Sequence, residues 1–230
     1  MAQLNCDTAF TIPLFGGIPV AESVVVTWII MAVLLIAAAI LGRNLKVENV
    51  GKKQLVLETI VGGLYNFFYD LLGEEGKQYI PYLMTVGVYI GFANMIGLFG
   101  LKSPTKDVGV TGALALMSII LIEAAGVRKK GTKGFLKSFA EPIPIMLPMN
   151  ILEVFIRPLS LCMRLFGNIY SGEVLTGLIL QLVTWSAFAA PVSFALNLVW
   201  VAFSAFIGFI QAYVFIILSS NYIGDKVNEE

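Results

Sequence analysis

The chain contains no histidine and only two cysteines, Cys6 and Cys162, in 230 residues. The first absence excludes a histidine proton relay and any imidazole-based metal centre. The two cysteines lie too far apart in sequence and setting to suggest a disulfide framework or a thiolate metal site. Charge is also scarce. Only 13% of residues are Asp, Glu, Lys or Arg, against about 25% in an ordinary soluble domain. Fifteen acids balance fifteen bases, so there is no cationic surplus to hold nucleic acid. The first twenty residues carry no Lys or Arg and so lack the basic start of a signal peptide, and the first apolar segment is expected to stay as an anchor. No H-E-x-x-H, G-x-S-x-G or P-loop pattern is present. No segment looks like a soluble nucleotide-holding domain, and no internal repeat of the kind found in many secondary transporters is visible.

Apolar residues are plentiful, at 58% of the chain. That is more than a core of this size needs, so lipid is the expected solvent. A helix crosses the hydrocarbon in about 20 residues. The first such run is Ser23 to Leu41, followed by Arg43, Lys46, Lys52 and Lys53. Leu55 to Leu72 mixes Leu, Val, Ile and Phe with Glu58, Asn66 and Asp70, a pattern suited to an amphipathic helix at the membrane interface. Further spans are expected over Tyr79 to Leu101 and Val108 to Val127, the second ending in Arg128, Lys129, Lys130, Lys133 and Lys137. A connector with Pro142, Pro144 and Pro148 leads into two long apolar stretches, about Met149 to Trp185 and Pro191 to Ser220. The expected fold is a single all-α membrane domain over 1–230, with five crossings and one interfacial helix. Basic loops mark the cytoplasmic side, which puts residues 1–22 and the N-terminus outside and the short acidic tail inside.

The informative residues are polar ones within the last two spans. Arg164 sits midway along an apolar helix, where an arginine costs about 2.5–3.5 kcal/mol on insertion scales. Such groups face protein or water, and a function is the default expectation. The bland alternative is an ion pair that only staples helices. At about 100° and about 1.5 Å per residue, Glu153 falls near the arginine's face but about 16 Å away, while Glu173 points about 180° away. Neither can pair with Arg164 through this helix alone, so an acid on another helix or another chain is expected. In the last span, Ser193, Asn197, Ser204, Gly208 and Gln211 recur at spacings of four, seven, four and three, which keeps them on one face. Small and amide residues in such a stripe pack helices, border water, or do both.

Ser160-Leu161-Cys162-Met163-Arg164-Leu165-Phe166-Gly167-Asn168 resembles the S-L-x-x-R-L-F-G-N motif of subunit a of bacterial F-type ATP synthases. Asn150-Ile151-Leu152-Glu153, Arg157-Pro158, Gly172-Glu173, Gln211-Ala212-Tyr213-Val214-Phe215 and Pro104-Thr105-Lys106-Asp107 add to the likeness, which runs from about residue 80 to 220. It implies a stator subunit beside a ring of c subunits, each with a mid-membrane carboxylate, and peripheral-stalk b subunits with the rest of the synthase as further partners. Ring-facing helices 149–220 would form a tilted hairpin with two offset half-channels, and no cofactor is implied. Arg164 matches the family's essential arginine, and Asn168 the amide one turn on. Glu173 and Gln211 match polar positions of the outer half-channel and the arginine's surroundings. Glu153 is similar to an acid toward the cytoplasmic half-channel, and Asp107 to one at the outer mouth. Some members carry histidine seven residues before the glutamine. Here that residue is Ser204, so Glu173, Ser204, Asn197 and water would serve the outer path. A stand-alone channel or secondary transporter is the alternative reading.

Overall fold

The computed structural model describes residues 8–12, 18–43, 51–99, 103–139, 144–185 and 190–228. Six helices make up nearly all of it: α1 Glu22–Gly42, α2 Lys52–Gly76, α3 Ile80–Met95, α4 Val108–Ser138, α5 Leu147–Trp185 and α6 Ala190–Asn228. Ahead of α1, β1 Thr8–Ile12 and β2 Ile18–Ala21 pair antiparallel, with Ile12 opposite Ile18 and Thr8 opposite Ala21. Residues 13–17, Cys6, Lys46 and Pro142 lie outside the described residues.

Among the described residues, four stretches are long and apolar enough to cross a membrane: Glu22–Gly42, Lys52–Met95, Val108–Ser138 and Pro191–Val227. The chain is an all-α membrane protein. At 39 residues α5 is also long enough for a crossing, with Glu153, Arg157, Arg164 and Glu173 spread along it. Two helices outrun their apolar segments. α4 continues past Val127 through the basic run to Ser138, and α6 continues past Ser220 to Asn228. Both extensions are polar turns that hydrophobicity alone cannot register. α3 ends earlier than expected, at Met95, in a tight 3-10 turn over Ile96–Phe99.

Two glycines set bends. Gly73 near the end of α2 has φ 68° and ψ −173°, and Gly131 in α4 has φ 68° and ψ 166°. That region of backbone space is essentially restricted to glycine. α5 runs through Pro158 as one helix.

The core is two apolar clusters. One joins Val26 and Ile30 of α1, Ile90 and Ala93 of α3, Ala115 of α4, Leu161 and Leu165 of α5, and Phe215 of α6. The other joins Phe68 and Leu72 of α2, Ile80 and Leu83 of α3, Ile122 of α4, and Ile223 and Val227 of α6. α6 therefore threads both clusters and acts as the central post. It crosses α3 closely: a Cβ on Gly87 would lie 2.3 Å from Ile216 Cδ1, and one on Gly208 would lie 3.2 Å from Asn94 Cβ. Small residues at such crossings let backbones approach where lipid offers no hydrophobic drive. By contrast α1 shows Trp28, Leu35, Ile36 and Ile40 on its outside, each at least half exposed, as a lipid-facing helix must.

Candidate functional site

The site is built on the packing of α5 against α6. Ser193 Oγ donates to the Ile179 carbonyl at 2.8 Å, and Trp200 Nε1 donates to the Gly172 carbonyl at 3.1 Å. A Cβ on Gly172 would stand 3.9 Å from Ser204 Oγ. These contacts advance along α6 as they retreat along α5, so the two helices lie antiparallel. Gly172 is the close-approach point, and it places Ser204 beside the backbone turn that carries Glu173. The side chain of Glu173 lies outside the described residues.

Arg164 is exposed, and among the described residues it makes no hydrogen bond or ion pair. Around the helix it borders two strips. Leu161 and Leu165 are buried against the core, while Leu152, Ile156, Leu159 and Met163 are each more than half exposed. A charge at the edge of an exposed apolar strip is a costly arrangement unless something covers it. Asn168, one turn on, is half-buried, as expected for a residue about 40° round the helix toward the core. The Phe166 and Tyr170 rings stack between these turns, with centroids 5.5 Å apart.

Glu153 goes elsewhere. Its Oε1 accepts from Arg157 Nη2 at 2.7 Å and Nε at 3.2 Å. The Arg157 guanidinium also lies 4.4 Å from the centre of the Tyr222 ring of α6. The spacing of four between Glu153 and Arg157 is a helix ion-pair spacing, and it was the available signal for this pair. Asp107 is first a structural residue. It caps α4, taking the Gly109 N–H at 2.8 Å, and it accepts the Ser23 hydroxyl of α1 at 2.6 Å.

The polar stripe on α6 divides between two neighbours. Ser193 and Ser204 face α5. Gly208 faces α3, where its carbonyl accepts from buried Asn94 Nδ2 at 2.9 Å. Asn94 in turn accepts from Thr105 at 3.1 Å, Thr105 meets Ser103 at 2.7 Å, and Ser103 donates to the Ala93 carbonyl at 2.7 Å. This chain of bonds pins the loop before α4 to α6, between Ser204 and Gln211. Asn197 Oδ1 is buried with no hydrogen-bond partner among the described residues. Gln211 is half-buried. Among the described residues no contact joins Gln211 or Asn197 to Arg164, so the sequence-derived set comes together as backbone neighbours on two helices rather than as one bonded cluster.

Two further ionisable residues bear on the site and were not in that set. Arg157 is one. The other is Glu123 of α4, whose two carboxylate oxygens are buried without a hydrogen-bond partner among the described residues. It stands in the apolar run Ile119-Ile120-Leu121-Ile122, so the rule that singles out Arg164 applies to it equally.

The family model for the ATP synthase A chain matches residues 24–224. Among curated relatives, ATP synthase subunit a of Streptococcus agalactiae serotype Ia is 48% identical over 195 residues, covering 81% of this chain and 82% of the relative. ATP synthase subunit a of Streptococcus pyogenes serotype M5 is 40% identical over 203 residues, with 81% and 82% covered. The matched region takes in all six helices except the ends of the chain, including the exposed arginine of α5 and its antiparallel partner α6: the chain belongs to the ATP synthase subunit a family.

Proposed function

We propose that this chain is the stationary ion-path subunit of a rotary F-type ATP synthase in the bacterial plasma membrane. In this reading α5 provides a fifth crossing, α2 lies at the cytoplasmic interface, and the N-terminus is outside with the C-terminus inside. Helices α5 and α6 form a tilted hairpin whose exposed strip meets a ring of c subunits. Peripheral-stalk b subunits and the catalytic head complete the complex, so this chain is not catalytic by itself. The observation that carries the reading is Arg164: charged, exposed at the edge of an apolar membrane face, and without an acid partner among the described residues.

The chemistry follows from the arginine. Guanidinium keeps its proton at any physiological pH, so it cannot carry the ion itself. It draws a ring carboxylate into its ionised form and releases the bound ion. It also repels a cation that would cross straight from one half-channel to the other. A lysine loses its proton readily when buried and would leak. On the outer side, Glu173, Ser204, Asn197, Gln211 and water pass the ion toward the ring, with Asp107 near the mouth and Asn168 beside the arginine. Glu153 serves the cytoplasmic side. A membrane potential supplies about 2.3 kcal/mol per charge per 100 mV, and offset half-channels turn that into rotation.

The test is Arg164→Lys in the assembled synthase, reconstituted into vesicles. Coupled ATP synthesis is expected to vanish while the complex assembles normally. ATP-driven pumping close to wild type would overturn the assignment.

A further inference from the structure

Glu123 of α4 is a buried carboxylate within the electrostatic reach of cations on α5 and α6. Both oxygens of Glu123 are shut away from solvent and lack a donor among the described residues. Lys226 of α6 and, more weakly, Arg157 of α5 are the cations that act on it electrostatically. Arg157 has donors to spare. A guanidinium offers five N–H groups. Two of these, one on Nε and one on Nη2, are spent on a single oxygen of Glu153, which leaves three. Lys226 is occupied with aromatic rings, 5.7 Å from the centre of Phe135 and 5.5 Å from that of Phe139. Among the described residues, the other neighbours of α4 add no charge that acts on Glu123. From α3, Tyr82 is bonded to Ser118 at 3.2 Å. From α2, Glu75 pairs with Lys129 farther down α4. Tyr222 of α6 stands against Arg157 itself.

A buried carboxylate without donors is among the costliest states a side chain can adopt, whereas a protonated carboxyl in the same place is far cheaper. The arrangement thus has two balanced forms. With a proton on Glu123, Arg157 bonds Glu153. When that proton leaves, Arg157 has free N–H groups to turn toward Glu123. Arginine keeps its own proton throughout and changes only its partner. Arg157 is seven residues before Arg164 on α5, nearly the same helix face and about 10.5 Å along the axis. The exchange therefore takes place two turns toward the cytoplasm from the central arginine.

We propose that Glu123 is a proton-exchanging carboxylate on the cytoplasmic side of the ion path, with Arg157 as an arm that moves between Glu153 and Glu123. The proton released by Glu123 passes to water on the cytoplasmic side, and the reverse step reloads it. No other group is oxidised, reduced or transferred. This inference rests on the functional reading above and assigns a new residue to it.

The experiment uses the whole synthase in vesicles. ATP-driven pumping and passive flux after removal of the catalytic head are measured against cytoplasmic-side pH. Glu123→Gln keeps the shape and Glu123→Leu removes the buried polar group altogether. Both are expected to assemble, to lower flux by about a hundredfold and to flatten its pH dependence. A purely structural role predicts the opposite for Glu123→Leu, since removing a donor-less buried polar group leaves stability equal or better. Wild-type flux with a wild-type pH profile in either assembled variant overturns the proposal. If neither neutral variant assembles, Glu123→Asp decides: a displaced pH profile supports the exchange, and an unchanged one overturns it. Arg164→Ala is run alongside. Retained ATP-driven pumping in Arg164→Ala defeats the functional reading, while lost pumping there with normal flux and a wild-type pH profile in the Glu123 variants defeats only this inference.

Discussion

Asn94→Ala isolates the bond that fixes α6 beneath the proposed ion path. Asn94 is 7% exposed. It gives a hydrogen bond to the Gly208 carbonyl and takes one from Thr105. Removing it costs two bonds but strands neither partner fully. Gly208 sits inside α6, where its carbonyl keeps a helical partner, and Thr105 keeps Ser103. The penalty is therefore near the net worth of the bonds rather than the larger cost of orphaned groups. In soluble proteins each is worth about 0.5–1.5 kcal/mol, and inside membranes the average is about 0.6 kcal/mol. The sum is about 1–2 kcal/mol, a shift of about 5–30-fold in the folded ratio. Graded unfolding of the purified subunit in mixed detergent micelles reads it out. Thr85→Ala is the control, because Thr85 is exposed and bonds only back to the Pro81 carbonyl of its own helix. Thr105→Val should cost a similar amount, and the double variant less than the sum, because the two residues share one bond. Since the network attaches to α6 between Ser204 and Gln211, proton pumping should fall several-fold without loss of ATP hydrolysis. Unchanged stability in Asn94→Ala, or full additivity with Thr105→Val, would refute the network as an anchor.

Asp107 lends itself to a split test. Asp107→Ala removes the cap of α4 and the clasp on Ser23, and should destabilise by about 0.5–2 kcal/mol from the cap alone. Asp107→Asn retains a capping oxygen, so reduced flux at nearly unchanged stability would point to a place in the ion path. Glu173→Gln should slow proton flux without abolishing it, because water, Ser204 and Asn197 remain. Unchanged flux in reconstituted vesicles removes Glu173 from the path.

Helix cores were legible from hydrophobicity because lipid imposes one rule along the whole crossing. α1 at Glu22–Gly42 and α5 at Leu147–Trp185 lie within two residues of their expected limits. The rule stops where the hydrocarbon stops. It could not reveal the polar ends of α4 and α6, nor the β1–β2 pair, whose short strands carry no span-length signal. Arg164 was legible because a charge in an apolar run is self-announcing and the motif around it is long. Glu123 announces itself in the same way but lies outside that motif. The partition of the α6 stripe was not legible at all. Spacing places Ser193, Ser204 and Gly208 on related turns, yet which neighbour each one meets depends on where α3 and α5 cross α6, and those crossings are set by Gly87, Gly172 and Gly208 acting on distant partners.

The two arginines of α5 show how context divides one side chain into two functions. Arg157 is half-buried and held by a carboxylate one turn back and an aromatic face on α6. Arg164, two turns on, is exposed and has no such partner among the described residues. If the protein needed only to neutralise charge inside the membrane, the economical solution would place an acid on α4, α6 or the next turn of α5, as it does for Arg157. The fold demonstrates that it can do so at a distance of one helix turn. In the proposed reading Arg164 is compensated from outside, by a ring carboxylate that arrives, pairs and departs. A permanent partner within the chain would hold the arginine as firmly as Glu153 holds Arg157, and a motor needs that grip to be released at every step.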